Sequence, residues 1–289
     1  MPAPTGKAFP TPQAALQAVH EVLGAHDKDK VEEIFGKGAT EVLWSGDDVA
    51  DREAGKKVKA LIDGGVTFEE QTPEIVVAEL GKDKWPLPVP LVKTPEGWRF
   101  DLEAGKDELL SRRIGRNELD TIETMYEYVE AQKEYFAKGR DGNPPAYAQK
   151  VRSSDGKHDG LFWPPKEGEE DSPFGDLVAE AKKGGYGPKD EPQPFQGYFY
   201  KILTAQGANA PGGHKNYVAS NGQMTGGYAG IAWPASYGNS GIKTFIVSNT
   251  GIVFEKDLGA DTEKLAAAIT EYNPDKTWHP SVKPKNEEE

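Results

Sequence analysis

The sequence predicts an α+β fold in two domains, and three observations carry that prediction. Apolar residues at helical spacing dominate the first sixty positions, β-branched and aromatic runs cluster over 75–101 and again over 198–258, and a helix-period stretch lies between the two strand groups. The expected boundaries are 1–113 for a unit of helices plus an antiparallel meander and 114–280 for a helix packed on an antiparallel sheet. Residues 281–289 form a charged tail, expected to be disordered. At 289 residues, 36% hydrophobic and 28% charged, the chain is long enough to bury two cores.

Each element has a local cause. In "TPQAALQAVHEVLG", Thr11 caps a helix with Pro12 at its first position, Ala15, Leu16, Val19, Val22 and Leu23 form one stripe, and Gly24 ends it. "DKVEEIFG" is a second amphipathic piece. "DDVADREAGKKVKALIDGG" is a third, capped by Asp47 or Asp48, with Val49, Val58, Leu61 and Ile62 inward. "EIVVAEL" and "WRFDL" read as strands joined through "WPLPVPLVK" and the turn "TPEG"; prolines at 86, 88 and 90 exclude a regular central ladder, so that strand is expected at an edge or bulged.

The connecting helix is expected to break at Gly115 and restart under an Asn117 cap, with Leu119, Ile122, Met125, Tyr126, Val129 and Phe136 inward. A long Pro- and Gly-rich excursion follows, then "GYFYKILT", "KNYVAS", "YAGIAWP", "IKTFIVS" and "IVFEKDL" as strands. "NTG" makes the last pair a hairpin, with Gly251 in a left-handed position. "DTEKLAAAITEYNP" is a closing helix that packs Leu265, Ile269 and Tyr272.

Charge and composition narrow the function. The net charge of -13 is spread over both halves with no basic face, which argues against nucleic acid and against an anionic membrane surface. No apolar run is long enough for membrane insertion. The absence of cysteine excludes thiolate metal sites and Cys nucleophiles.

Motifs for catalysis are sparse. His20, His26, His158, His214 and His279 show no metal-ligand spacing, and "DGKHDG" has lysines where a calcium loop needs oxygens, so no metal and no cofactor are expected. "GNSGIK" is one residue short of a nucleophile elbow. Aromatic side chains remain. Trp163 and Tyr237, flanked by Pro, Gly and Ser, are expected at the surface; with His214 in a Gly-rich loop and Tyr198 and Tyr200 on a strand, they are the candidate binding residues. No catalytic residue can be assigned.

Five segments, "WPLPVPLVKTPEGWRFD", "SRRIGRNELDTIETMYEYVEAQKEYF", "DGLFWP", "GYFYKILTAQGANAPGG" and "MTGGYAGIAWPASYGNSGIKTFIVSNTGIVFEKDLG", resemble a bacterial family known as domain of unknown function 2950. That resemblance spans nearly the whole chain. It implies a periplasmic or secreted location, since members usually carry a secretion leader, and supplies no catalytic residues. By element order, residues 1–110 resemble the nuclear transport factor 2 fold. Residues 114–259 are similar to type IV pilin and pseudopilin heads, without the N-terminal apolar helix that builds a filament. Together these readings imply a non-catalytic binding or scaffold protein of the cell envelope, whose partner is an envelope protein or polysaccharide. The alternative is an envelope hydrolase that uses Glu or Asp with His214 in an inter-domain cleft.

Overall fold

A computed structural model describes residues 4–23, 25, 27–168, 170–183, 186 and 193–282. The expected helix stop at Gly24, the His26 side chain and the tail 283–289 lie outside the described residues. The chain is α+β and packs as two compact units, Met1–Ile114 and Gly115–Glu289.

In the first unit, α1 (Pro12–Val22), α2 (Lys28–Phe35), α3 (Ala39–Leu43) and α4 (Asp48–Asp63) precede a five-stranded antiparallel sheet: β1 (Val66–Thr72), β2 (Ile75–Leu80), β3 (Trp85–Pro86), β4 (Leu91–Thr94) and β5 (Gly97–Phe100). The Thr11 hydroxyl accepts the Ala14 N–H at 3.1 Å, and Asp47 accepts from Val49 and Ala50, so both caps are as the sequence reads. Alternation along β2 buries Val76, Ala78 and Leu80 beneath the helices, against Leu16, Val19 and Ile34.

The prolines interrupt the strand, and only part of it lies at an edge. They split it: β3 and β4 both pair with β2, with Pro86 on the singly paired β3, residues 88–89 lie outside the ladder, and β4 sits centrally between β2 and β5. β1 and β5 end the main strand order, and β3 is paired on one side only, to β2.

Helix α5 (Leu102–Phe136) runs unbroken through Gly115 and Asn117, where a break and a cap were expected. The reason is tertiary. Asn117 is buried and spends its side-chain amide on the Ser240 carbonyl at 2.9 Å, while Glu118 Oε1 accepts the backbone N–H groups of Ile242 and Lys243. Those bonds hold the turn in helical geometry against the Gly115 propensity penalty of about 1 kcal/mol. They also turn that helix face toward β10, leaving Leu119 51% exposed, whereas Ile122, Met125, Tyr128, Val129 and Tyr135 form the buried stripe.

The second unit continues with α6 (Gly175–Lys183), β6 (Tyr198–Leu203), β7 (Ala205–Gln206), β8 (Lys215–Asn216), β9 (Ala229–Pro234), β10 (Lys243–Ser248), β11 (Phe254–Asp257), α7 (Thr262–Ala268) and β12 (His279–Pro280). Its main sheet is antiparallel in the order β12-β11-β10-β9-β6, and β7 pairs with β8. β10 is buried at five consecutive positions, so both its faces are covered. α5 covers one face: the Tyr128 ring lies over Gly230, and its hydroxyl donates to the Ala229 carbonyl at 2.9 Å. Full burial of residues such as Ile231, Phe245 and Val247 stabilises the unit by roughly 1.5–3 kcal/mol each.

Two glycines have identifiable roles. Gly251, at φ 74°, closes the hairpin turn through its N–H to the Ser248 carbonyl at 2.9 Å. Gly241 is open so that the Tyr198 phenol can pass: a Cβ there would overlap its oxygen and Cζ. In α7, Ala266 rather than Leu265 faces inward, and the helix stops after Ala268.

Candidate functional site

Three of the five expected binding residues are not free contact surface. Trp163 is 3% exposed, its ring packed on His158 and its Nε1 donating to the Glu170 carbonyl at 2.9 Å. It is core, because the proline-rich loop around it folds inward. Tyr198 is fully buried, with its hydroxyl on the Lys243 carbonyl at 3.0 Å. Tyr200 is half-buried and helps line an apolar cavity of about 180 Å³ between α5, α6 and the sheet. Two do reach the surface. Tyr237 is 37% exposed, its hydroxyl donating to Asp257 at 3.0 Å, and His214 is exposed 3.6 Å from Glu271. Trp163, His214 and Tyr237 therefore sit in three separate neighbourhoods.

A different constellation gathers beside Trp163. The loop after α5 carries Arg140 and Asp141, the following excursion carries Lys150, His158 and Asp159, and the end of α5 supplies Tyr135; together they wall a cavity of about 270 Å³. Backbone pairing sets this wall. Tyr147 N–H donates to the Met224 carbonyl at 2.7 Å, Leu161 N–H to Lys150 at 3.0 Å, and Ser153 N–H to Phe162 at 2.8 Å. The pinning contact is Gln132, 0% exposed on α5. Its amide accepts the Ala148 N–H and donates to the Ala148 carbonyl, both at 2.9 Å, as a strand neighbour would.

Electrostatics distinguish the charged groups. Lys150 bonds Asp159 at 2.6 Å, and with the Ser154 N–H at 2.7 Å it holds that carboxyl down at about 2. Asp141, at a left-handed φ of 49°, receives the His158 N–H at 2.9 Å and lies 3.2 Å from His158 Nδ1. The Tyr135 hydroxyl donates to the His158 carbonyl at 2.7 Å, and burial raises its pKa.

Arg140 differs from the rest. Its guanidinium carbon lies 5.3 Å from the Tyr135 ring and 5.4 Å from the Trp163 ring, and Nη1 donates to Glu170 at 2.7 Å. Lys138 contacts the same carboxylate and, as the largest influence, holds its pKa low. The Arg140 side chain is nine-tenths buried, yet its Nε and Nη2 have no partner among the described residues. A buried charged donor left unpaired costs about 1–3 kcal/mol or more, which an incoming acceptor would recover.

The family model described as protein of unknown function (DUF2950) matches residues 6–281. The chain belongs to the DUF2950 family. No curated protein and no solved structure matches it, so neither the pilin-head likeness nor the nuclear transport factor 2 likeness gains support there. Among the described residues of this DUF2950 chain, no group of three His, Asp or Glu side chains could hold a metal ion, and no helix is long and apolar enough to cross a membrane.

The sequence reading missed this pocket. Its signals, Asp and Gly flanking Arg140 in "GRDGN" and His158 in "DGKHDG", are present, but as solvated turns they look like many others.

Proposed function

We propose that this chain is a non-catalytic binding protein of the bacterial cell envelope or its exterior, and that it holds its partner, an envelope protein or polysaccharide, by a group inserted beside Arg140. One observation carries this reading: an arginine side chain nine-tenths buried, its guanidinium against two rings, with two donors lacking a partner among the described residues. Such preorganised donors are what specific polar recognition uses. The envelope location rests on the family resemblance. Fractionating a bacterium that produces the protein tests it, and recovery in the cytoplasm would refute it.

The binding reading is tested by titrating the labelled protein with soluble envelope fractions and following backbone amide resonances. Shifts should cluster at 140–162 and 222–224 and vanish in Arg140→Gln. Shifts confined to the loops of His214 and Tyr237 would refute the assignment.

A hydrolase is the second reading, favoured by the Asp141–His158 contact at 3.2 Å in the same wall, the geometry of an oriented base. Turnover of an envelope polymer that is lost in His158→Gln while binding is retained would favour it.

A further inference from the structure

The unpartnered atoms of Arg140 are not a random pair. Nε and Nη2 are the adjacent nitrogens whose N–H bonds run parallel along one side of the guanidinium, the fork that matches the two oxygens of a carboxylate. The opposite end is already occupied: Nη1 is on Glu170, and the guanidinium also contacts the Tyr135 and Trp163 rings. The fork is therefore oriented before any ligand arrives, which removes ordering cost from binding.

We infer that the cavity beside Arg140 takes a small hydroxylated monocarboxylate, held side-on by the Nε and Nη2 donors. This rests on the binding reading above and names its ligand class. The remaining wall supports the hydroxyls. Asn143, Gln149 and Gln223 line it; Asn143 Nδ2 is on the Arg140 carbonyl at 3.3 Å, Gln149 Nε2 on the Gly222 carbonyl at 2.8 Å, and Gln223 Oε1 accepts from Asn221 at 3.2 Å, so each carboxamide keeps its other polar atom for a hydroxyl. At about 270 Å³ the space falls just below the ~300 Å³ lower bound usual for ligand pockets, which suits a single sugar-sized unit.

Charge excludes a dianion. Asp141 and Asp159 stand in the same wall, and the Lys150 ammonium is engaged by Asp159 at 2.6 Å. One guanidinium, already shared with Glu170, meets one negative charge; the second charge of a phosphate would face carboxylates instead. Entry also has a cost. Both nitrogens are shut off from solvent, so the packing around them must yield before the fork is reached, and association is slowed accordingly.

The test uses the full chain with D-glucuronate as probe, and D-glucose and inorganic phosphate as comparisons. Calorimetry should give glucuronate affinity at least tenfold above that of glucose or phosphate. Arg140→Lys, which keeps the charge and loses the fork, should lower it at least tenfold. Because that variant removes a buried side chain, the unmutated protein supplies a second readout: the Arg140 Nε–H resonance should shift on adding glucuronate and stay fixed with glucose.

Equal binding of glucuronate and glucose would overturn the carboxylate assignment while leaving a binding protein in place. Tighter binding of phosphate would overturn it in favour of a dianion site. No glucuronate binding, with an unmoved Nε–H resonance, would also overturn it; the wider reading would then stand or fall on the envelope titration.

Discussion

Gln132→Leu is the sharpest single test of how the candidate pocket is built. The leucine is close in volume, so no large cavity opens, but Ala148, itself 1% exposed, loses both the acceptor for its N–H and the donor to its carbonyl. Each buried backbone group left unpaired costs about 1–3 kcal/mol, and the added apolar contact returns part of that, for a net loss of roughly 2–5 kcal/mol. For a unit the size of Gly115–Glu289, each kcal/mol lowers Tm by about 2–4 °C, so the melting transition should fall by roughly 4–20 °C. Thermal melts by circular dichroism and a urea titration would measure it. A Tyr128→Phe control loses the hydroxyl that Gln132 also bonds at 3.1 Å but leaves Ala148 paired. If Gln132→Leu melts within about 2 °C of the parent, Ala148 is not held by this amide and the loop wall is set by something else.

Three further perturbations follow from the same packing. Val129→Asp places a carboxylate at a 2% exposed position of α5 and should cost about 3–5 kcal/mol or prevent folding; an unchanged urea midpoint would show that face to be solvated. Gly241→Ala pushes a methyl into the Tyr198 phenol and should cost about 1–3 kcal/mol, read as a lower Tm. Asp159 is held near 2, below the roughly 3.9 of an unfolded chain, so its stabilising share is present above about pH 4 and is lost as pH falls toward 2. With the side chain about a third exposed, that share is on the order of 1 kcal/mol or less, and Asp159→Asn should flatten acid unfolding by this amount.

What the sequence discloses here follows from how local each cause is. Thr11, Asp47 and Gly251 act within four residues of themselves, and each is found in its expected role. The α5 stripe was legible over Ile122–Val129 for the same reason. Its start was not, because Asn117 and Glu118 answer to Ser240 and Lys243, more than 120 residues away. Its Pro, Gly and Ser neighbours point Trp163 to the surface, yet the long loop folds back and Trp163 joins the same core as α5 and the sheet. Arg140 and His158 meet inside that loop, where no period of 2 or 3.6 marks which side chains converge.

The clasp between α5 and β10 also sets an order of events during synthesis. Asn117 and its partner Ser240 are 123 residues apart in the chain. At about 5–20 residues per second, α5 leaves the ribosome roughly 6–25 seconds before the strand that caps it exists. Until β6 and β9 have been made, the stripe of Ile122, Met125, Tyr128 and Val129 has no sheet to cover it. A holding chaperone that recognises apolar helix faces would find its target there, and loosening its grip before residue 240 has been made should send this chain to aggregates rather than to the folded state.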